Sequence, residues 1–362
     1  MTMAARLGLG FSAFRPRRLD HHVYQNCKCR ALRYLSTQRP LALPLHSNKE
    51  NCTGRVFIVT GANTGIGFEA TKHLVAAGAS KVVMAVRNLD SGRDAKAKIE
   101  AELGITQVAE VWRMDLSSYN SVKAFAARAS IELDRVDGLI ENAGVFDFKR
   151  TLAEGHLNTV TVNVISTFLL TALMLPKLSR TAQDFKDVVP HLTVVGSSWG
   201  FSAPKDWDLV KDDPLVKMDA EDKNFPRLYH LTKLIDIMVV RQLGLVVPFS
   251  RLGVVVNVVS PGLSRTNLAR HTPPEFQRMM AERVKHHGRT AEEGSRTLLH
   301  AAFAGPESHG RYLESCEIAE DKLPSWMTED EGRKSQGRAW EVVTNELEAI
   351  EPGCLRNAVD WH

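Results

Sequence analysis

A chain of 362 residues with 44% hydrophobic and 24% charged content carries enough apolar material for a sizeable core, which excludes a disordered or low-complexity protein. Its net charge of +4 is local: Arg6, Arg15, Arg17, Arg18, Lys28, Arg30, Arg33, Arg39 and Lys49 face only Asp20 and Glu50 before residue 51. The remainder is slightly acidic, which excludes a basic nucleic-acid surface, and five scattered cysteines exclude a disulfide framework and suit a reducing compartment.

Residues 1–50 are expected to form a basic, disordered extension of a cytoplasmic protein. The alternative is a mitochondrial presequence, cleaved within Arg33 to Thr37. His21, His22, Cys27 and Cys29 have no structural zinc spacing, so no metal is expected. Val56 to Val59 is a continuous β-branched and aromatic run, the pattern of a strand buried on both faces. Thr60, Gly61, Ala62, Asn63, Thr64, Gly65, Ile66 and Gly67 follow. Then Phe68, Ala70, Thr71, Leu74 and Val75 fall at helical spacing up to Gly78. Strand, glycine turn and helix in this order suit a pyrophosphate approaching backbone N–H groups at a helix N-terminus, where a Cβ would obstruct it. The spacing of Gly61, Gly65 and Gly67 differs from the common dinucleotide fingerprint.

Lys81 to Val86 reads as the second strand and delivers Arg87, roughly twenty residues past the glycines, where a nucleotide fold selects its ribose. An acid there binds a 2′-hydroxyl, whereas the guanidinium of Arg87 suits a 2′-phosphate, so NADP(H) is favoured over NAD(H). Further apolar runs follow. Val108 to Met114 delivers Asp115 and Leu116, Val136 to Ile140 delivers Asn142, Ala143 and Gly144, Leu192 to Val195 delivers Ser197 and Ser198, and Val254 to Val259 delivers Pro261 and Gly262. Helical material is expected at 89–104, 118–134, 153–180, 226–246 and 274–303, with a break near Gly288. The expected fold is α/β: one doubly wound parallel sheet of the Rossmann type over residues 51–362, with ligands outside the carboxyl ends of its strands. Val162 to Leu175 is shorter than the roughly twenty apolar residues a membrane span needs, so it is expected to be buried.

Residues 54 to about 315 resemble a short-chain dehydrogenase/reductase, with its motifs in order. Gly61, Gly65 and Gly67 match the family's cofactor glycines and Asn142-Ala143-Gly144 its fourth-strand motif. Asn163 matches its helix asparagine, Tyr229 and Lys233 its catalytic pair, and Pro261-Gly262 with Thr266 its nicotinamide loop. Asp115 and Leu116 resemble the pair that flanks adenine, although Asp115 or Ser117 also reads as a helix N-cap. Glu141 departs from the pattern, replacing an asparagine. The resemblance implies a water bound by Asn163 that relays protons toward Lys233, an ammonium of Lys233 that also binds ribose, and a homodimer pairing equivalent helices. Arg87 and the glycine turn place the chain nearest the retinol-dehydrogenase-like and protochlorophyllide-reductase-like branch, which includes fungal secondary-metabolite members.

Tyr229 and Lys233, four apart on a predicted helix, share one face. A neighbouring ammonium favours phenolate and is expected to lower the Tyr229 pKa, making it an acid toward a carbonyl or a base toward an alcohol. Ser197 is the candidate that holds the substrate oxygen, with Ser198 its rival. Ser-Ser-Trp-Gly at 197–200 aligns Ser197 with the family's serine. The insertion 202–225 is expected to form a lid over the cleft. Phe201, Trp207, Leu268 and Met279 or Met280 would then wall a large lipophilic substrate. The extension 316–362 is expected to hold an amphipathic helix, Thr328 to Leu347, turning Trp340, Val343 and Leu347 inward and closing the substrate side. An enzyme interconverting a carbonyl and an alcohol is the main reading. Reduction of an activated carbon-carbon double bond and a silent NADP-binding regulator are the alternatives.

Overall fold

The computed structural model describes residues 42–222 and 225–359, so the basic segment up to residue 41, with its proposed cleavage site, lies outside the described residues. Within the sheet, β1 (Val56–Thr60) is buried along its whole length, as is β2 (Lys81–Val86) apart from Lys81. Alternation divides these strands between two cores. Ile58, Val83 and Ala85 face one, and Phe57, Val59, Val82 and Met84 face the other. Strands β3 (Ala109–Arg113) and β4 (Gly138–Glu141) follow, then a two-stranded hairpin, β5 (Leu152–Ala153) and β6 (His156–Leu157), and then β7 (His191–Val195) and β8 (Val255–Ser260). The last two are β9 (Tyr312–Glu314) and β10 (Glu317–Ile318), and the main sheet runs β10-β9-β8-β7-β4-β1-β2-β3. All neighbours pair in parallel except β9 and β10. The chain order reverses between β1 and β4, and this switch point is where an open α/β sheet leaves a crevice.

The helices complete three layers. On one face lie α1 (Gly65–Ala76), α2 (Leu89–Leu103) and a later helix, Ala291–Phe303; on the other lie α3 (Tyr119–Glu132), α4 (Ser166–Asp184) and α5 (Phe225–Val246). Helix α6 (Pro274–His287) stands apart from both faces, and α7 (Ala291–Phe303) begins after the expected break, with Thr290 and Glu293 forming a capping box. With its preceding turns, α4 forms a helical stretch, Asn158–Asp184, long and apolar enough to cross a membrane, which corrects the shorter estimate from sequence. Its apolar window is 89% buried inside the protein's own core.

The insertion folds as Pro204–Val210 and Pro214–Asp219, and Trp207, Val210, Leu215 and Met218 join the core. Asp219 accepts hydrogen bonds from the backbone N–H of Leu157 (2.7 Å) and pairs with His156 Nδ1 (2.6 Å), which ties the insertion to the β5–β6 hairpin. The tail forms α8 (Asp330–Ile350) and α9 (Cys354–Val359); Val343 and Leu347 are buried in the core on the α5 side of the sheet, with Trp340 partly covered. Strand β9 has no counterpart among the expected elements. Its turn into β10 places Ser315 (φ 56°) and Cys316 (φ 63°) in the left-handed region without the Asn-Gly signature that usually marks such a turn.

Candidate active site

A cleft of about 1110 Å³ opens at the carboxyl ends of the strands. It is lined after β1 by Gly61, Asn63, Thr64, Gly65 and Ile66, after β2 by Arg87, and after β3 by Asp115 and Leu116. Asn142, Ala143 and Gly144 line it after β4, Ser197 and Ser198 after β7, and Pro261, Gly262 and Thr266 after β8. Tyr229 and Lys233 enter from α5. Two of the expected site residues, Gly67 and Asn163, lie behind this lining, where each braces a neighbour.

Gly61 sits at φ +66° and Gly65 at φ +60°, so the turn requires glycine at both. At Gly67 an added Cβ would lie 2.5 Å from Asn142 Nδ2 and 2.8 Å from the Gly61 carbonyl oxygen. Asn142 is fixed there because its Nδ2 donates to the Thr60 carbonyl at 2.9 Å, and the Ala143 N–H donates to Thr60 Oγ1 at 2.9 Å. The loop after β8 folds back onto the same turn, with Asn267 Nδ2 donating to Thr64 Oγ1 at 3.3 Å. This cradle, short of side chains at the N-terminus of α1, fits a pyrophosphate. Arg87 at the end of β2 and the Pro261 loop at the end of β8 are four strands apart in the sheet order. At about 4.8 Å per strand that separation is roughly 19 Å, the reach of an extended dinucleotide. Arg87 is exposed, and no partner holds its guanidinium among the described residues. Asp115 accepts from the Ser117 N–H (3.0 Å) and hydroxyl (2.7 Å), so it orders its own turn while lining the cleft.

Asn163 lies in a π-turn, Thr161–Ile165, at the entrance to α4. Its Oδ1 accepts from the Val145 N–H at 2.9 Å, and its Nδ2 donates to the Val145 carbonyl (3.0 Å) and Thr232 Oγ1 (3.2 Å). The side chain therefore pins the loop after β4 against α5, with both Nδ2 protons committed and one further acceptor position left on Oδ1. Ser197 Oγ accepts from the Trp199 N–H at 3.2 Å, which leaves its own proton to donate.

Lys233 Nζ donates to the Val195 carbonyl (2.8 Å) and to Asp236 Oδ2 (2.9 Å). Desolvation opposes its charge, but Asp236, Tyr229 and Glu141 outweigh it and hold its pKa above the ordinary lysine value. Tyr229 differs from expectation. Burial raises its pKa and Asp236 adds to the rise, while the Lys233 ammonium opposes them without prevailing, so the phenol keeps its proton. Burial raises Asp236 to about 6 against the pull of Lys233, and it drives Glu141 well above the carboxylate range.

The apolar end of the cleft is built from other residues than the sequence suggested. Phe201 packs edge-on against Tyr312, and Trp207 is buried, so both belong to the core. Phe146, Trp199 and Phe276 line the cleft instead, together with the expected Leu268 and Met280. The Phe146 ring lies 4.6 Å from that of Tyr229 and 5.4 Å from that of Phe276, and Trp199 meets Tyr229 edge-on at 6.1 Å. Among the described residues, none of 202–225 or of the tail beyond 316 lines this space; α6 and the loop after β4 cover it. Periodicity could not assign Phe146 or Phe276, because one lies in a loop and the other is the lone buried residue of a polar helix.

The family model described as short chain dehydrogenase matches residues 55–189. The short chain dehydrogenase/reductase dmxR8 of Cryptosporiopsis sp. is 39% identical over 314 residues, covering 85% of this chain and 94% of that relative. The short chain dehydrogenase atnD of Emericella nidulans is 38% identical over 294 residues, covering 78% and 89%. A Shigella flexneri short chain dehydrogenase complexed with NADP superposes with a TM-score of 0.55 at 22% identity, covering 75% of this chain and 100% of that one. A 3-ketoacyl-(acyl-carrier-protein) reductase from Brucella melitensis complexed with NADH gives 0.54 at 20%, covering 72% and 96%. At these identities the solved structures speak for the fold, and the closer relatives speak for the family. The chain belongs to the short-chain dehydrogenase/reductase family and is an oxidoreductase of the NAD(P)-binding Rossmann type.

Proposed function

We propose that the protein is an NADPH-dependent reductase of a ketone or aldehyde on a fairly large lipophilic molecule, a secondary-metabolite intermediate. One observation carries this reading: Tyr229 and Lys233, one helical turn apart, line the same cleft as the glycine turn and Arg87. The turn at Gly61 to Gly67 would hold the pyrophosphate, and Arg87 the 2′-phosphate. Asp115 and Leu116 would flank adenine, Asn142 to Gly144 would support the ribose, and Pro261, Gly262 and Thr266 the nicotinamide. When bound, NADPH supplies hydride.

Tyr229 gives its phenolic proton to the carbonyl oxygen as charge develops there, while the Ser197 hydroxyl donates a hydrogen bond to that oxygen. The Lys233 ammonium then stabilises the phenolate left behind. The phenol keeps its proton in the buried site, which is the form that reduction uses. Five aromatic rings, those of Phe146, Phe148, Trp199, Tyr229 and Phe276, form one cluster with Leu268, Met279 and Met280 packed against it, which supports an apolar substrate.

NADPH oxidation followed with a panel of apolar ketones and aldehydes tests this, alongside NADH and the Tyr229→Phe variant. Turnover with NADPH, slower turnover with NADH and loss of turnover in the variant are expected. Near-normal turnover in Tyr229→Phe, or none with any carbonyl in the wild type, would overturn the reading.

A further inference from the structure

Of the three N–H bonds on Lys233 Nζ, one goes to the Val195 carbonyl and one to Asp236, leaving one for the cleft. Asp236 is fully buried one turn further along α5, between the buried Ile235 and Ile237. An apolar residue would serve packing there at least as well, because a buried ion pair seldom stabilises a fold more than hydrophobic contacts do. Asp236 Oδ1 has no partner, and neither has Oε1 of the buried Glu141 at the end of β4, whose Oε2 accepts from Thr171 Oγ1 at 3.0 Å. Two acids thus stand behind the lysine, each with an oxygen unsatisfied. Such incomplete burial of polar atoms is costly and calls for a functional reason.

We infer that Asp236 is a positioning residue for the reaction: its carboxylate anchors the Lys233 ammonium and keeps it charged, so that the remaining N–H faces Tyr229 and the cleft. The inference rests on the reading of Tyr229 and Lys233 as the acid-base pair. Left to burial alone, an ammonium in this position would lose its proton and with it any hold on a phenolate. Glu141 cannot replace Asp236, because it makes no hydrogen bond to the ammonium and is held in its neutral acid form. The titratable groups facing Lys233 and Asp236 are Tyr229 from the same helix and Glu141 from β4. The other elements contribute groups that do not titrate, the Val195 carbonyl from β7 and Thr171 from α4.

Asp236→Asn keeps the shape and removes the charge. Lys233 then loses its proton at lower pH, and while it is still charged Tyr229, freed of a nearby anion, also ionises earlier. Both changes pull the alkaline fall of a reductase downward. With para-nitrobenzaldehyde as probe and NADPH as donor, kcat of the variant should stay within about threefold of wild type near pH 6, with its alkaline limb about two pH units lower. A purely structural defect scales the whole profile and leaves the limb in place, and an unmoved limb would overturn the inference. Independently of turnover, Lys233 followed by NMR in protein carrying isotope-labelled lysine should titrate lower in the variant, and an unchanged titration would overturn it equally. Asp236→Ser, which leaves room for a water, is read in the same two ways if the asparagine variant does not fold. Tyr229→Phe is the parallel control. Full activity there defeats the acid-base reading itself, whereas loss of activity there with an unmoved Asp236→Asn limb defeats only this inference.

Discussion

Adding one methyl group at Gly67 tests whether the glycine turn and the strand that follows it form one unit. The Cβ of Gly67→Ala would lie 2.5 Å from Asn142 Nδ2, 3.2 Å from its Cγ and 2.8 Å from the Gly61 carbonyl oxygen. The side chain cannot simply turn aside, since Nδ2 is held by the Thr60 carbonyl at 2.9 Å, nor can Gly61 move freely at φ +66°. Overpacking of this kind costs about 1–3 kcal/mol, and releasing the asparagine hydrogen bond about 1 kcal/mol more. Alanine's better helix propensity returns at most about 1 kcal/mol, and less in the first turn of α1. The net expectation is a loss of about 1–3 kcal/mol in urea unfolding. NADPH affinity should fall by about tenfold or more, because Gly61 and Asn142 both line the cleft. Gly337→Ala in α8 is the internal control. Nothing lies within 4 Å of its added Cβ, so it should stabilise by about 0.5–1 kcal/mol. If both variants unfold like the wild type and NADPH fluorescence titrations of Gly67→Ala match it, the close-packed turn is not what shapes this site.

Arg87→Asp should lower the NADPH-to-NADH ratio of kcat/KM by about tenfold or more, because a carboxylate repels the phosphate that guanidinium would pair with; an unchanged ratio argues against Arg87 as the selector. Glu141→Gln should change how stability depends on pH. In the folded protein Glu141 keeps a proton that the unfolded chain gives up above about pH 4.3, so wild-type stability declines as pH rises from there, by at most about 1.4 kcal/mol per pH unit. Glutamine cannot ionise, so the variant should gain on the wild type with rising pH in urea unfolding and match its slope only below about pH 4. Asp236, raised to about 6, adds a decline of the same sign to both proteins. Trp207→Ala should cost about 3–5 kcal/mol of stability with little change in KM, and Phe276→Ala should do the reverse, which separates core from cleft in two steady-state measurements.

The parallel sheet, its buried strands up to β8 and most of the cleft were legible because local chemistry and global position agree there. A buried parallel strand must be a continuous apolar run, and the residue that ends it must be small or polar where a ligand is to sit, so Gly61, Arg87, Asn142, Ser197 and Pro261 could each be placed from a few neighbours. The signal fails where position depends on packing between distant segments. Trp207 looks like a substrate wall in a linear reading, but Asp219 ties its segment to the β5–β6 hairpin and turns the indole inward. Phe146 and Phe276 have no periodicity to give them away, and they come together with Tyr229 only because the loop after β4 and helix α6 meet over α5.

Glu141 and Asp236 show a third kind of limit. Glu141 stood out in sequence as a departure at one position, and Asp236 as an unremarked acid in an apolar run; neither by itself implies the other. Only the fold brings both behind Lys233, where their fields couple and the proton count is settled jointly. With the lysine charged, Asp236 ionised and Glu141 neutral, the buried group is electrically balanced; burial first, and the Asp236 charge after it, keep the Tyr229 proton in place against the ammonium. Under the proposed reduction Asp236 therefore acts on Tyr229 as well as on Lys233, from a position that never touches the cleft.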